Sequence, residues 1–140
     1  MNIDTTYFSR CIAALDKALE LLHESDASDI VYDMYRSACI KEFEIILEQS
    51  GKLLRKILKP YFYSSIAADK LIFKDVFRHA VLHDIITTEE CERWLQYRNS
   101  RNSTTHDYGV AFAENTLTLL PQFILDARRL CELINQQKIE

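Results

Sequence analysis

The sequence predicts an all-α fold, an up-and-down bundle of four main helices with one additional short helix, in a single domain over residues 1–140. Three observations lead there. The 140 residues include only 2 Gly and 2 Pro, too few for the many turns of an all-β fold. Apolar residues recur at three- and four-residue intervals over long stretches, as in helices that bury one face. Polar or proline-containing breaks divide these stretches into segments of bundle-helix length. A composition of 48% hydrophobic and 27% charged residues is that of a globular domain long enough to bury a core.

The first helix is expected from Asp4 or Thr5 to about His23, with Phe8, Cys11, Ile12, Leu15, Leu19 and Leu22 as its buried stripe. "ESDASD" then breaks the pattern and offers Ser25, Asp26 or Ser28 as an N-cap. The second helix runs from about Asp29 to Lys59 and is stopped by Pro60. Its expected core face is Val31, Met34, Tyr35, Ala38, Ile45, Leu53, Ile57 and Leu58, with Gly51 as its weak point. At ~1.5 Å per residue it spans about 45 Å, enough to organise a bundle.

"YFYSSIAADKLIF" lacks a helical period and reads as a loop that packs its aromatics. A short helix follows from Lys74 to Leu82, with Phe73, Val76, Phe77, Ala80 and Val81 inward. Thr87 and Glu90 fit a capping box ahead of Trp94 and Leu95. The last helix is expected from Tyr108 to Gln136, with Leu117, Leu120, Ile124, Ala127, Leu130, Cys131 and Ile134 as its stripe, and Pro121 kinking or dividing it.

Several functions lack their residues. The cysteines, Cys11, Cys39, Cys91 and Cys131, form no CxxC pair, so free buried thiols in a reducing cytoplasm are expected rather than zinc or disulfide exchange. No apolar run approaches the roughly 18 residues of a membrane span, and "MNIDTTYFSR" is unlike a signal peptide; a cytoplasmic protein without a membrane partner is expected. His79 and His83 lie four apart but have no third ligand nearby, so neither metal nor cofactor is expected. Glu44 and Glu48 lie within reach of Lys41, Lys52 and Arg55, which makes them ion-pair members rather than a catalytic carboxylate pair. There is no Gly-rich phosphate loop and no Gly-Ser with paired aspartates, so the chain is not itself a nucleotidyltransferase.

The net charge of −4 argues against wholesale nucleic-acid binding, but the distribution is uneven. From Lys52 to Arg78 there are seven basic residues against two acids, whereas Asp16 to Asp33 is acidic. The basic stretch, with Lys52, Arg55 and Lys56 in the second helix, is a candidate surface for phosphates.

"YRNSRNSTTHDY", residues 97–108, contains Arg101-Asn102 followed by His106 and Tyr108, an Arg-x4-His-x-Tyr arrangement. On an unbroken helix, Arg101 and His106 would sit roughly 140° apart. Converging on one phosphate therefore requires the helix to end or distort near Ser103 to Thr105, where three hydroxyl residues compete for backbone hydrogen bonds. Arginine offers a permanently charged fork for phosphate oxygens. Histidine can move a proton to or from a ribose hydroxyl near neutral pH. Asn102 can orient either partner. The competing reading has Arg101 and His106 satisfying helix-end carbonyls while Tyr108 packs in the core.

"SRNSTTHDY" resembles the RN-x3-H-x-Y signature of HEPN-type helical bundles and, more narrowly, of the nucleotidyltransferase substrate-binding protein family. "CIKEFEIILEQSGKLLRKIL" is similar to that family's long second helix, and "FKDVFRHAVLHDII" to the short helix before the capped, Trp-containing one. The family's spacing selects Arg101 over Arg98, whose pair with Asn99 would extend the basic rim. His83-Asp84 departs from the pattern, since relatives commonly carry a glycine there. The resemblance implies a homodimeric toxin that cleaves RNA with Arg101, Asn102 and His106. It implies a cognate minimal nucleotidyltransferase as antitoxin, in some pairs transferring AMP to the motif tyrosine, here Tyr108. RNA would be contacted by Arg98, Lys52, Arg55 and Lys56. The family's older interpretation is a non-catalytic subunit that presents substrate to the nucleotidyltransferase; a scaffold that merely keeps the bundle is a third reading.

Overall fold

A computed structural model describes residues 3–104 and 109–137, and among these the regular structure is entirely helical. The elements are α1 (Thr6–Glu24), α2 (Ile30–Leu58), a 3₁₀ turn (Lys59–Tyr61), α3 (Ser65–Asp69), α4 (Phe73–Leu82), α5 (Thr88–Thr104) and α6 (Val110–Gln136). The four long helices are α1, α2, α5 and α6. Two short helices, rather than the expected one, lie between α2 and α5.

Cross-helix contacts fix the directions. Asp16 accepts from Arg128 at 2.6 Å, and Thr5 bonds Asn135 at 2.7 Å, so α1 and α6 are antiparallel. Tyr32 donates to Glu114, and the Phe43 and Phe123 rings meet at 4.7 Å, so α2 runs parallel to α6. Arg93 reaches Asp126 while Tyr97 meets Phe123, which sets α5 against α6. The long helices therefore alternate up and down. At the centre, Trp94 stacks on Phe77 and meets Tyr97 and Phe123 edge-on, with ring centroids 5.3–5.7 Å apart, contacts that add to the burial of large apolar surfaces.

All six expected stripe residues of α1 are buried. In α2 the expected face is corrected over its first turns: Val31 and Met34 are 41% and 63% exposed, and Ala38 is exposed. The inward side carries the expected Tyr35 and, in place of the others, Tyr32 and Arg36, which both engage Glu114 of α6. From Cys39 onward the buried set is Cys39, Phe43, Ile46, Leu47, Ser50, Gly51, Leu53, Leu54, Ile57 and Leu58. The α2 N-cap position falls on Asp29; Asp26 instead folds its carboxylate back onto Ser28.

The stretch expected to be an aromatic-packing loop contains α3, opened by Ser64 Oγ accepting from the Ala67 N–H and anchored by the fully buried Ala68. Its aromatics divide: Tyr61 is 55% and Tyr63 is 96% exposed, whereas Phe62 packs partly inward and Phe73, the first residue of α4, is buried. Pro121 does not divide α6, which continues from Val110 to Gln136. Its side chain is exposed. The expected α6 stripe is extended by Phe123 and Asp126, both buried.

The departure at His83-Asp84 is accommodated by backbone geometry. Asp84 adopts φ 58°, the left-handed region. Its N–H donates to the Val81 carbonyl, and the Ile85 N–H reaches the Ala80 carbonyl at 2.9 Å. These are the two bonds of a Schellman helix end, completed by the buried Ile85. Asp tolerates this conformation better than most residues with a Cβ.

Candidate functional site

Helix α5 starts with the expected capping box: the Thr87 N–H donates to Glu90 Oε1 at 3.0 Å, and the Glu90 N–H donates to Thr87 Oγ1 at 3.1 Å. Its buried residues Cys91, Trp94 and Tyr97 recur every three positions. Arg98 and Arg101 follow on this inward side, four residues after Trp94 and Tyr97, and both are half-buried. The apolar seam of the helix thus turns into a cationic one as it approaches the motif.

Arg98 lies with its guanidinium 5.2 Å from the centre of the Phe73 ring, a cation–π contact. Burial lowers its affinity for the proton, and the positive charges of Arg101 and Arg55 lower it further, with Glu48 opposing. The guanidinium groups of Arg98, Arg101 and Arg55 thus share one field with the Glu48 carboxylate, and its cationic balance favours an anion. Phe73 holds this position because α2 presents Gly51 to it: a Cβ there would stand 3.3 Å from Phe73 Cδ2. The expected weak point of α2 is a place of close approach.

Arg101 and Asn102 occupy the last described turn of α5, Arg101 half-buried and Asn102 exposed. His106 and Tyr108 lie outside the described residues. Lys52, Arg55 and Lys56 line one cavity of about 350 Å³ together with Lys59 and Asp69. Within it Lys52 pairs with Glu48 at 3.5 Å, Lys59 with Asp69 at 3.6 Å, and Arg55 Nε donates to the Leu71 carbonyl at 3.1 Å. Arg55 and Arg98 join this basic face of α2 to the motif helix. A second cavity, about 420 Å³, opens between Asn99 and Ser100 of α5 and Phe112, Asn115 and Thr116 of α6.

Beneath the motif turn, α5 is clamped to α6. Asp126, 4% exposed, accepts from Arg93 Nε and Nη2 at 2.8 and 2.9 Å, from Tyr97 Oη at 2.5 Å and from Gln122 Nε2 at 3.2 Å. Burial alone would raise its pKa, but the donated bonds from Arg93, Tyr97 and Gln122 outweigh it and hold the carboxyl below the usual range. Burial, and then the neighbouring carboxylate, push the Tyr97 phenol upward. The clamp is one and two turns before Arg101 on the same face, so it sets the direction in which α5 delivers the motif.

Residues 4–136 match the family described as nucleotidyltransferase substrate binding protein like. The chain belongs to that family. Among curated proteins it is 27% identical over 108 residues to a "Probable ribonuclease HepT" of Haemophilus influenzae, covering 77% of this chain and 73% of the relative. Among solved structures, HI0074 of Haemophilus influenzae superposes with a TM-score of 0.80 over 95% of this chain and all of the other, at 22% identity. That structure is described as revealing the fold of a substrate binding domain of a nucleotidyltransferase. The family fold is thus shared along nearly the whole chain.

Sequence reasoning missed Phe73 as the support of Arg98 and the clamp on Asp126. The clamp left a legible sign: Asp126 lies three residues after Phe123 and four before Leu130, a carboxylate set among core positions. Among the described residues no cluster of three metal-ligating side chains exists. His79 and His83 contact aromatic rings instead, Phe62 at 5.1 Å and Tyr61 at 3.8 Å. No described helix is long and apolar enough to cross a membrane.

Proposed function

We propose that this chain is a HEPN-type ribonuclease toxin that acts as a homodimer and is neutralised by a cognate nucleotidyltransferase. The observation that carries the reading is the placement of Arg98 and Arg101, both half-buried, on the inward side of the last turns of the motif helix, with Arg98 held over Phe73. The relative named a ribonuclease and the Arg-x4-His-x-Tyr spacing support it. In the proposed reaction His106 takes the proton of a ribose 2′-hydroxyl, and the freed oxygen attacks the adjacent phosphorus. The bond to the 5′-oxygen breaks, and that oxygen receives a proton from the His106 of the second copy, leaving a 2′,3′-cyclic phosphate. Arg101 binds the phosphate oxygens on which charge gathers, Asn102 orients the imidazole or the substrate, and no metal is required. Arg98, Lys52, Arg55 and Lys56 hold flanking phosphates. AMP transfer to Tyr108 would place a phosphoryl group in this field and block it.

Expression of the chain alone, wild type beside Arg101→Ala and His106→Ala, tests the reading by growth and RNA integrity. The wild type is expected to arrest growth and fragment RNA. The purified His106→Ala protein is expected to cleave about 10²- to 10⁴-fold more slowly, with an unchanged melting temperature. Equal growth and intact RNA with folded protein would instead favour a non-catalytic subunit presenting substrate to the nucleotidyltransferase, the reading supported by the family's description. Mass spectrometry after incubation with the partner and ATP tests the modification: Tyr108→Phe is expected to accept no AMP.

A further inference from the structure

We propose that Tyr61, backed by His83, together with Tyr63 forms a nucleobase-stacking platform for single-stranded RNA at the far end of the α2 basic face. The proposal rests on the reading of RNA as substrate and adds a second binding element outside the motif. Tyr61 and His83 are stacked at 3.8 Å with an interplanar angle of 17°. One face of the tyrosine is therefore covered by imidazole, while the residue remains 55% exposed. Its open face is held in place by α4, so a base would stack there without first ordering a loose ring. Tyr63, two residues on, is 96% exposed; a bundle gains nothing in packing from a tyrosine in that position.

The surroundings favour nucleic acid. Lys52, Arg55, Lys56 and Lys59 fall at spacings of three and four, on one helical face, and line one cavity. That face starts next to Gly51, against which Phe73 carries Arg98 of the motif helix, and ends at Lys59, directly before Pro60-Tyr61. It spans roughly 10 Å along the axis. A backbone lying on it would leave the motif cleft over cations and bring its bases to the two tyrosines, the combination by which single strands are held without sequence readout. Ile66 and Ile72 are also exposed nearby, so a docked protein is the competing occupant; the cationic stripe leading to the stacked ring decides for RNA.

The test is fluorescence anisotropy with a short labelled oligoribonucleotide, 2′-O-methylated so that it lacks the attacking hydroxyl, and an abasic strand of the same length. The Tyr61→Leu/Tyr63→Leu protein is expected to bind the base-bearing strand at least about fivefold more weakly, since each lost stack is worth roughly 5- to 150-fold. Its affinity for the abasic strand is expected to be unchanged, and Tyr61→Phe is expected to bind like wild type. Equal affinity of wild type and the double variant for the base-bearing strand would overturn the platform and leave the ribonuclease reading standing. Failure of the folded wild type to bind either strand would overturn both. A double variant that keeps RNA but no longer co-purifies with the nucleotidyltransferase would reassign the patch to protein docking and overturn the proposal.

Discussion

Tyr97 shows how one hydroxyl can connect core and site. Its ring belongs to the aromatic centre, edge-on to Trp94 and Phe123, while its oxygen donates to the buried Asp126. Replacing it with phenylalanine keeps the ring and deletes one hydrogen bond to a carboxylate, which costs about 1.5–3 kcal/mol at neutral pH. The sign of the pH effect follows from Asp126, whose folded pKa lies below its ordinary 3.8. Its contribution to stability is fully present above that ordinary value and is lost as pH falls through the folded one. In Tyr97→Phe the folded pKa moves back toward the ordinary value, so less stability is lost as the pH falls and the two proteins converge in acid. Urea unfolding across the carboxylate range checks this; a gap that stays constant with pH would rule it out. Asp126 itself was visible in the sequence only as a misplaced charge. Gln122 lies one turn away, but Tyr97 and Arg93 lie 29 and 33 residues away, and no local spacing joins those two to it.

At the scale of the element, the ends of helices were more legible than their faces. The Thr87–Glu90 box is a local pattern whose bonds close within one turn, so four residues suffice to predict it. The end of α4 is equally local, but Asp84 stands in a conformation that glycine usually supplies. Asp84→Val is expected to cost roughly 1–3 kcal/mol because a β-branched residue is strained there, whereas Asp84→Gly should hold or raise the melting temperature. Thermal unfolding of the two variants distinguishes this from a helix end that depends on the aspartate side chain, in which case glycine would destabilise as well. Faces were harder. The first turns of α2 carry two candidate stripes about one residue apart, and only the bonds of Tyr32 and Arg36 to Glu114 select between them.

For the whole molecule, that rotation leaves Ile30 73% and Met34 63% exposed, and Val110 at the start of α6 is 62% exposed. Glu114, one turn beyond Val110, is bonded to Tyr32, so these apolar residues lie at the end of the bundle where α6 follows the motif segment. Such a patch suits a second copy, as the proposed homodimer requires. Since exposed substitutions usually stay within about 0.5 kcal/mol, Ile30→Ser/Met34→Ser should leave the fold intact. Sedimentation is expected to show a monomer and RNA assays a loss of cleavage. A double variant that remains dimeric would move the interface elsewhere.

The sequence by itself determined the helical class, the α1 stripe, the capping box and the cationic approach to the motif, because each is written in residues three or four positions apart. Tertiary structure decided what depended on distant partners: which side of α2 turns inward, that Gly51 admits Phe73 beneath Arg98, that Asp126 clamps α5, and that Tyr61 faces outward on His83. Helical periodicity shows that a face exists; only the neighbour packed against it determines which residues that face buries.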